Sequence, residues 1–218
     1  MAKLLHIVFA SVFVVMSSAS CVQKTSDIKV VVEEIDEARN PVPSYSDLLT
    51  FRVVVIEGAI WGPPGKEENL LEQVEVGSVV SLDMGRLLQI GSRYASTVTA
   101  DASNADLVVA PRDMRFARLG TFPAKPLTNQ SIGSGSFLDK QSRDFLALLY
   151  VDRPGLISGT LRAGNVEGKV HVSIDKAGLH WIKMKEVTPL RYELDNANPS
   201  ELVFGIQPYP VPSLGPSE

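Results

Sequence analysis

Asp144-Phe-Leu-Ala-Leu-Leu-Tyr-Val151, closed by Asp152-Arg153-Pro154-Gly155, is the stretch that decides the fold of this 218-residue chain. Phe145, Ala147, Leu148, Leu149 and Tyr150 form an apolar strand, and the Asp-Arg-Pro-Gly sequence after them has the chemistry of a turn. Downstream, Leu156, Ile157, Thr160 and Leu161 make a second strand, ended by Gly164-Asn165. Val170, Val172 and Ile174 then alternate with Lys169, His171 and Ser173, the period of a half-buried strand. Asp175-Lys176-Ala177-Gly178 turns the chain again, and Leu179 to Met184 is a fourth strand. Strands at a spacing of about 8–12 residues with turns between them indicate a sandwich or barrel. The expectation is an all-β protein, an antiparallel β-sandwich of Ig-like or jelly-roll kind, built as one large or two small sandwich domains.

Upstream of Asp144 the chain is less regular. Ile28, Val30 and Val32 share one parity, and Phe51 to Ile56 is a near-continuous β-branched run expected to be buried on both faces. Arg39-Asn40-Pro41-Val42-Pro43-Ser44 and Gly62-Pro63-Pro64-Gly65 read as a loop and a turn. Lys66 to Gln73 fits about two helical turns with Leu70 and Leu71 inward. Val74–Leu82, Tyr94–Ala100, Leu107–Ala110 and Met114–Leu119 are further candidate strands. Ser81 could cap a short helix, or Leu82 could close the preceding strand. Two short candidates, Arg191–Leu194 and Leu202–Ile206, complete the set. The Gly/Ser/Pro-rich stretch 123–142 reads as a flexible loop or linker. It would divide an N-terminal β region (27–122) from a C-terminal one (143–206), with a proline-rich tail over 207–218.

Composition narrows the function classes. A single cysteine rules out a disulfide framework, so the core must be apolar packing. The formal net charge is −4, and setting Lys3 aside with residues 1–20 leaves 20 Lys+Arg against 25 Asp+Glu. That mild acidity lacks the basic face a nucleic-acid partner needs, and it offers no basic patch to anionic lipid.

The start of the chain supplies the address. Lys3, the apolar run Leu4–Met16 and the small residues Ser17-Ser18-Ala19-Ser20 compose a signal peptide over 1–20, too short to span a bilayer. Ser18-Ala19-Ser20-Cys21 resembles the lipobox of bacterial lipoproteins, in which leucine usually stands where Ser18 does. The resemblance implies acylation of Cys21, a tether over 21–26 and, with Val22 next in the chain, an outer-membrane location in Gram-negative bacteria. The membrane is then a partner through the lipid; simple secretion, after cleavage at Ala19, is the alternative.

Sites of chemistry are few. His171 and His180, with no cysteine beyond Cys21, fall short of a zinc ligand set, so no metal and no cofactor are expected. The two histidines could be neighbours across the Asp175–Gly178 turn. Asp101, Ser103, Asn104 and Asp106 bunch oxygen donors without the EF-hand spacing, which suits an ordinary turn. Ser134 and Ser136 lack the context of a nucleophile elbow, and no phosphate cradle is present. Trp61 and Trp181, with His180 beside the latter, are the candidate ligand-binding residues, because aromatic faces stack on sugars and anchor interfaces. The segment Asp175-Lys176-Ala177-Gly178-Leu179-His180-Trp181-Ile182, within Arg143–Met184, resembles carbohydrate-binding jelly-roll modules. The lipobox-like start and the proline loop before Phe51–Ile56 are similar to the small β-sandwich lipoproteins of the type VI secretion membrane complex. The expected function is a cell-envelope lipoprotein with a non-enzymatic binding or assembly module, whose partner is an envelope protein or a glycan. A glycan-binding module using exposed tryptophans and an unrecognised envelope hydrolase are the alternatives.

Overall fold

In the computed structural model, residues 27–43, 48–61, 65–98, 106–125 and 133–208 are described. They form β1 (Ile28–Glu34), β2 (Leu48–Glu57), β3 (Lys66–Glu75), β4 (Val79–Leu82), α1 (Met84–Tyr94), β5 (Asp106–Ala110), β6 (Phe116–Ala124), β7 (Gly133–Asp139), β8 (Phe145–Val151), β9 (Gly155–Ala163), β10 (Val166–Ile174), β11 (Gly178–Thr188), β12 (Arg191–Ala197) and β13 (Leu202–Pro208). Among the described residues the fold is all-β with one helix, as its strand patterning requires.

Everything radiates from β8. One edge of it pairs antiparallel with β11 over its full length, from Gly178 opposite Val151 to Met184 opposite Phe145. The other edge is shared. β7 takes the first half, with Phe137 opposite Leu146, and β6 takes the second, from Leu119 opposite Leu148 to Phe116 opposite Val151. The sheet therefore branches near Ala147. One arm runs β6-β2-β3, another β7-β13-β1-β4, and the third β11-β12-β10-β9-β5.

Successive residues of a strand point to opposite faces. On β8, Leu146 and Leu148 join a core with Val30, Val32, Phe51, Val53, Leu87, Phe137 and Phe204. Ala147, Leu149 and Val151 join a second core with Phe116, Ile157, Val170, Val172, Ile182 and Leu194. A strand serving two cores has no polar face, which is why residues 145–151 read as an unbroken apolar run.

Several sequence expectations are corrected. Two pairs, β1 with β13 and β10 with β12, are parallel, so the sheet is mixed rather than antiparallel. Lys66–Gln73 is strand, not helix, because β3 satisfies the edge of β2. A register shift there lets consecutive Leu70 and Leu71 both meet the first core, and it disguised the period-two pattern. Val74–Leu82 is not one strand: Gly77, at φ 88°, turns the chain so that β4 leaves β3 and pairs with β1. Asp83, not Ser81, caps α1, accepting from the Arg86 amide at 2.8 Å, and Tyr94 ends that helix rather than opening a strand. Arg86 also donates to the Asn69 and Leu70 carbonyls on the open edge of β3.

The stretch 123–142 holds the end of β6 and the whole of β7, which pairs with β13 from Gly133 to Asp139. Its glycines serve close approach: a Cβ at Gly135 would lie 2.5 Å from the Phe204 ring. At the C-terminus, β13 continues through Gln207 and Pro208, and the rest of the expected tail lies outside the described residues.

The two-core account of β8 is testable. Leu148→Ala and Leu149→Ala, on opposite faces of one strand and each about 1% exposed or less, should each lower the unfolding free energy by about 2–5 kcal/mol in urea titrations. A one-sided strand would show that loss at only one of them.

Candidate functional site: an arginine clasp and its depression

Sequence reasoning singled out Trp61, His180 and Trp181, and the fold separates them. Trp181 sits against the first core, edge-on to Phe137 with ring centroids 5.1 Å apart. His180 precedes it and has the opposite parity on β11, that of Ile182 in the second core; its Nε2 donates to the Lys176 carbonyl at 2.8 Å. Trp61 lies on the second core beside Leu161, Val166, Met184, Tyr192 and Leu194. The Arg118 guanidinium is 5.9 Å from its ring and donates to the Ile60 carbonyl at 3.0 Å. Burial lowers the Arg118 pKa, and its Nε has no hydrogen-bond partner. The two tryptophans thus belong to different cores and present no common platform. His171 and His180 are not neighbours either, because β12 is inserted between β10 and β11. Ser134 and Ser136 are ladder residues of β7. Among the described residues no three His, Asp or Glu side chains gather as a metal site requires. Asp106 pairs with Arg162. Asp101, Ser103, Asn104 and Cys21 lie outside the described residues.

A cross-braced surface feature arises where two turns meet. After β1, the Asp36 carboxylate accepts from the Asn40 amide at 2.8 Å and from its side chain at 3.2 Å, folding Asp36–Asn40 back on itself. These bonds, the backbone one foremost, hold the Asp36 carboxyl below its ordinary value, with a further contribution from Arg143. Between β7 and β8, the Asp139 carboxylate accepts from the Gln141 and Ser142 amides at 3.0 and 2.8 Å. Each turn leaves one arginine in the left-handed region, Arg39 at φ 67° and Arg143 at φ 59°. Each such residue costs about 1–2 kcal/mol.

The two arginines clasp each other. Arg39 Nη1 donates to the Arg143 carbonyl at 3.2 Å, and Arg143 Nε donates to the Arg39 carbonyl at 2.9 Å. Outward, Arg39 pairs with Glu186 at 3.1 Å and Arg143 with Glu33 at 3.0 Å. The Arg39 guanidinium also stacks 4.2 Å above the Phe145 ring, at the start of the branching strand. Arg143 Nη2 is buried with no partner.

Against this clasp lies an open depression of about 350 Å³, lined by Arg39, Asp144, Glu186, Val187, Thr188 and Pro189. Its far wall is irregular. The β11–β12 ladder shifts register between Glu186 and Thr188, and Leu190 follows at φ 67°. Of the four described non-glycine residues with left-handed backbone, Arg39 lines the depression, and Arg143 and Leu190 adjoin its lining residues Asp144 and Pro189 in the chain. Strain of this kind persists where surrounding structure over-determines it, and it concentrates at working sites. Within this largely polar lining Val187 is 53% exposed, and Leu190, next after Pro189, is 47% exposed. Both arginine head groups are committed to partners within the protein, and the arrangement is suited to recognition.

Sequence reasoning missed this site. Asp36-Glu37-Ala38-Arg39-Asn40 and Asp139-Lys140-Gln141-Ser142 have turn chemistry, but nothing in them announces that two arginines 104 positions apart will meet.

In a double-mutant cycle, Glu33→Ala with Arg143→Ala should show a coupling of about 0.5–1 kcal/mol, both side chains being only 22% exposed. Glu201→Ala with Lys140→Ala, at 65% and 50% exposure, should couple near zero. Because the Asp36 pKa is depressed on folding, its contribution is present above the ordinary carboxylate range and lost as the pH falls through the lowered value. An NMR titration of Asp36 should show that lowered value, and Asn40→Ala should raise it.

No family model matches this chain, and neither a curated protein nor a solved structure matches it.

Proposed function

We propose that this protein is a cell-envelope lipoprotein, held to the outer membrane through acylated Cys21, whose body is a non-enzymatic β-sandwich module for binding or assembly. The anchor rests on the sequence Ser18-Ala19-Ser20-Cys21 and on the six-residue stretch 22–27 between that cysteine and β1. A sandwich is favoured by two apolar cores flanking one shared strand. No helix among the described residues is long and apolar enough to cross a bilayer.

The observation that carries the binding function is the depression beside the arginine clasp. Its floor is cross-braced by hydrogen bonds, so it keeps its shape before a partner arrives and association loses little ordering entropy. Its lining exposes Val187, and Leu190 follows just beyond Pro189; both would lose water on contact. An apolar anchor such as Val187 set among the polar Arg39, Asp144, Glu186 and Thr188 is the usual anatomy of an interface hot spot.

Two experiments test the two halves of this reading. Cys21→Ser should move the protein from the membrane fraction to the soluble one; unchanged fractionation would reject the lipid anchor. Val187→Glu with Leu190→Glu, at exposed positions that leave the cores intact, should abolish recovery of a stoichiometric partner from envelope extract while the melting temperature stays within a few degrees. Recovery of the same partner by the double variant would reject the depression as the binding site.

A further inference from the structure

We infer that the occupant of the depression is a segment of a partner protein that places a lysine or arginine side chain beside an apolar one. This rests on the binding function proposed above and identifies the chemistry of its partner. The charges at the site have unequal freedom. Arg39 spends one terminal nitrogen on the Arg143 carbonyl and the other on Glu186, with its flat face on Phe145. Arg143 spends Nε on the Arg39 carbonyl and Nη1 on Glu33, and its remaining nitrogen is buried out of reach. The Arg39 charge is thus already paired with Glu186, which weakens its pull on an incoming carboxylate or phosphate.

The carboxylates are differently placed. Asp144 lines the depression and makes no ion pair among the described residues. Glu186 also lines it, and its bond to Arg39 engages only Oε2. Glu33 and Asp36 do not line the depression: Glu33 pairs with Arg143, and Asp36 is held by Asn40. Of the charged residues that line the depression, two are carboxylates, Asp144 and Glu186, and one is a guanidinium, Arg39. The lining is therefore net negative, and it includes the exposed Val187 beside Pro189. A basic side chain with an aliphatic stem or neighbour complements both: the stem covers apolar surface while the head reaches Asp144 and Glu186.

The test uses the full-length protein in the membrane of its host cell, with p-benzoylphenylalanine in place of Val187, photo-crosslinked and mapped by mass spectrometry. The expected cross-linked peptide carries Lys or Arg within a few residues of the attachment point. Asp144→Lys, which breaks no internal ion pair, should reduce the cross-link yield about tenfold at an unchanged melting temperature. Replacing the partner's basic residue by Glu should restore it. A cross-linked segment without a basic residue, or a yield indifferent to Asp144→Lys, overturns the basic occupant and leaves the binding function standing. Absence of any cross-link overturns both. A second readout needs no partner: amide relaxation by cationic aminomethyl-PROXYL should exceed that by anionic carboxy-PROXYL at Val187 and Thr188, and Asp144→Asn should narrow the difference. Equal or reversed enhancement overturns the inference.

Discussion

The constraint on which this molecule depends is that β8 is buried on both faces and must divide one edge between two partners. A strand with two apolar faces cannot sit at the surface, so structure has to be stacked on each side of it. Leu146 and Leu148 recruit β1, β2, β7, β13 and α1 into one core. Ala147, Leu149 and Val151 recruit β9, β10, β11 and β12 into the other. Small residues make the joint possible. A Cβ on Gly91 of α1 would fall 2.5 Å from that of Tyr150, so the helix can seat on β8 only because that position is glycine.

The arginine clasp sits at the start of this strand and is bound to it through Phe145. It ties the turn after β1 to the turn before β8 and, through Glu186, to the end of β11. Two left-handed arginines are unfavourable individually; they are held by the Asp36 and Asp139 turns and by bonds to each other's carbonyls. Bonds between half-buried charged groups and carbonyls are stronger than their exposed counterparts, and they hold the adjoining depression in shape.

Much of the strand inventory was legible in the residues. Val170, Val172 and Ile174 alternate with Lys169, His171 and Ser173, and β10 buries one set and exposes the other. Errors fell where tertiary demands override local pattern. Leu70-Leu71 resembles a helical pair, yet a register shift turns both into a strand's core contacts. Gly133-Ser-Gly-Ser136 has linker composition, yet its glycines admit the Phe204 ring and the Gln207 carbonyl. Of the candidate site, only the turn chemistry was visible. Trp61 and Trp181 drew notice as aromatic faces able to stack on a ligand, and they went to separate cores.

Taken alone, the sequence determined the all-β class, most strand positions and the lipobox-like motif at Cys21, because alternation, turn residues and short motifs are local properties of the chain. The branching at β8, the parallel placement of β12 beside β10 and the meeting of Arg39 with Arg143 were decided by tertiary structure. Each depends on which distant strand fills an edge and which face a side chain can bury, and neither is encoded in any window of neighbouring residues.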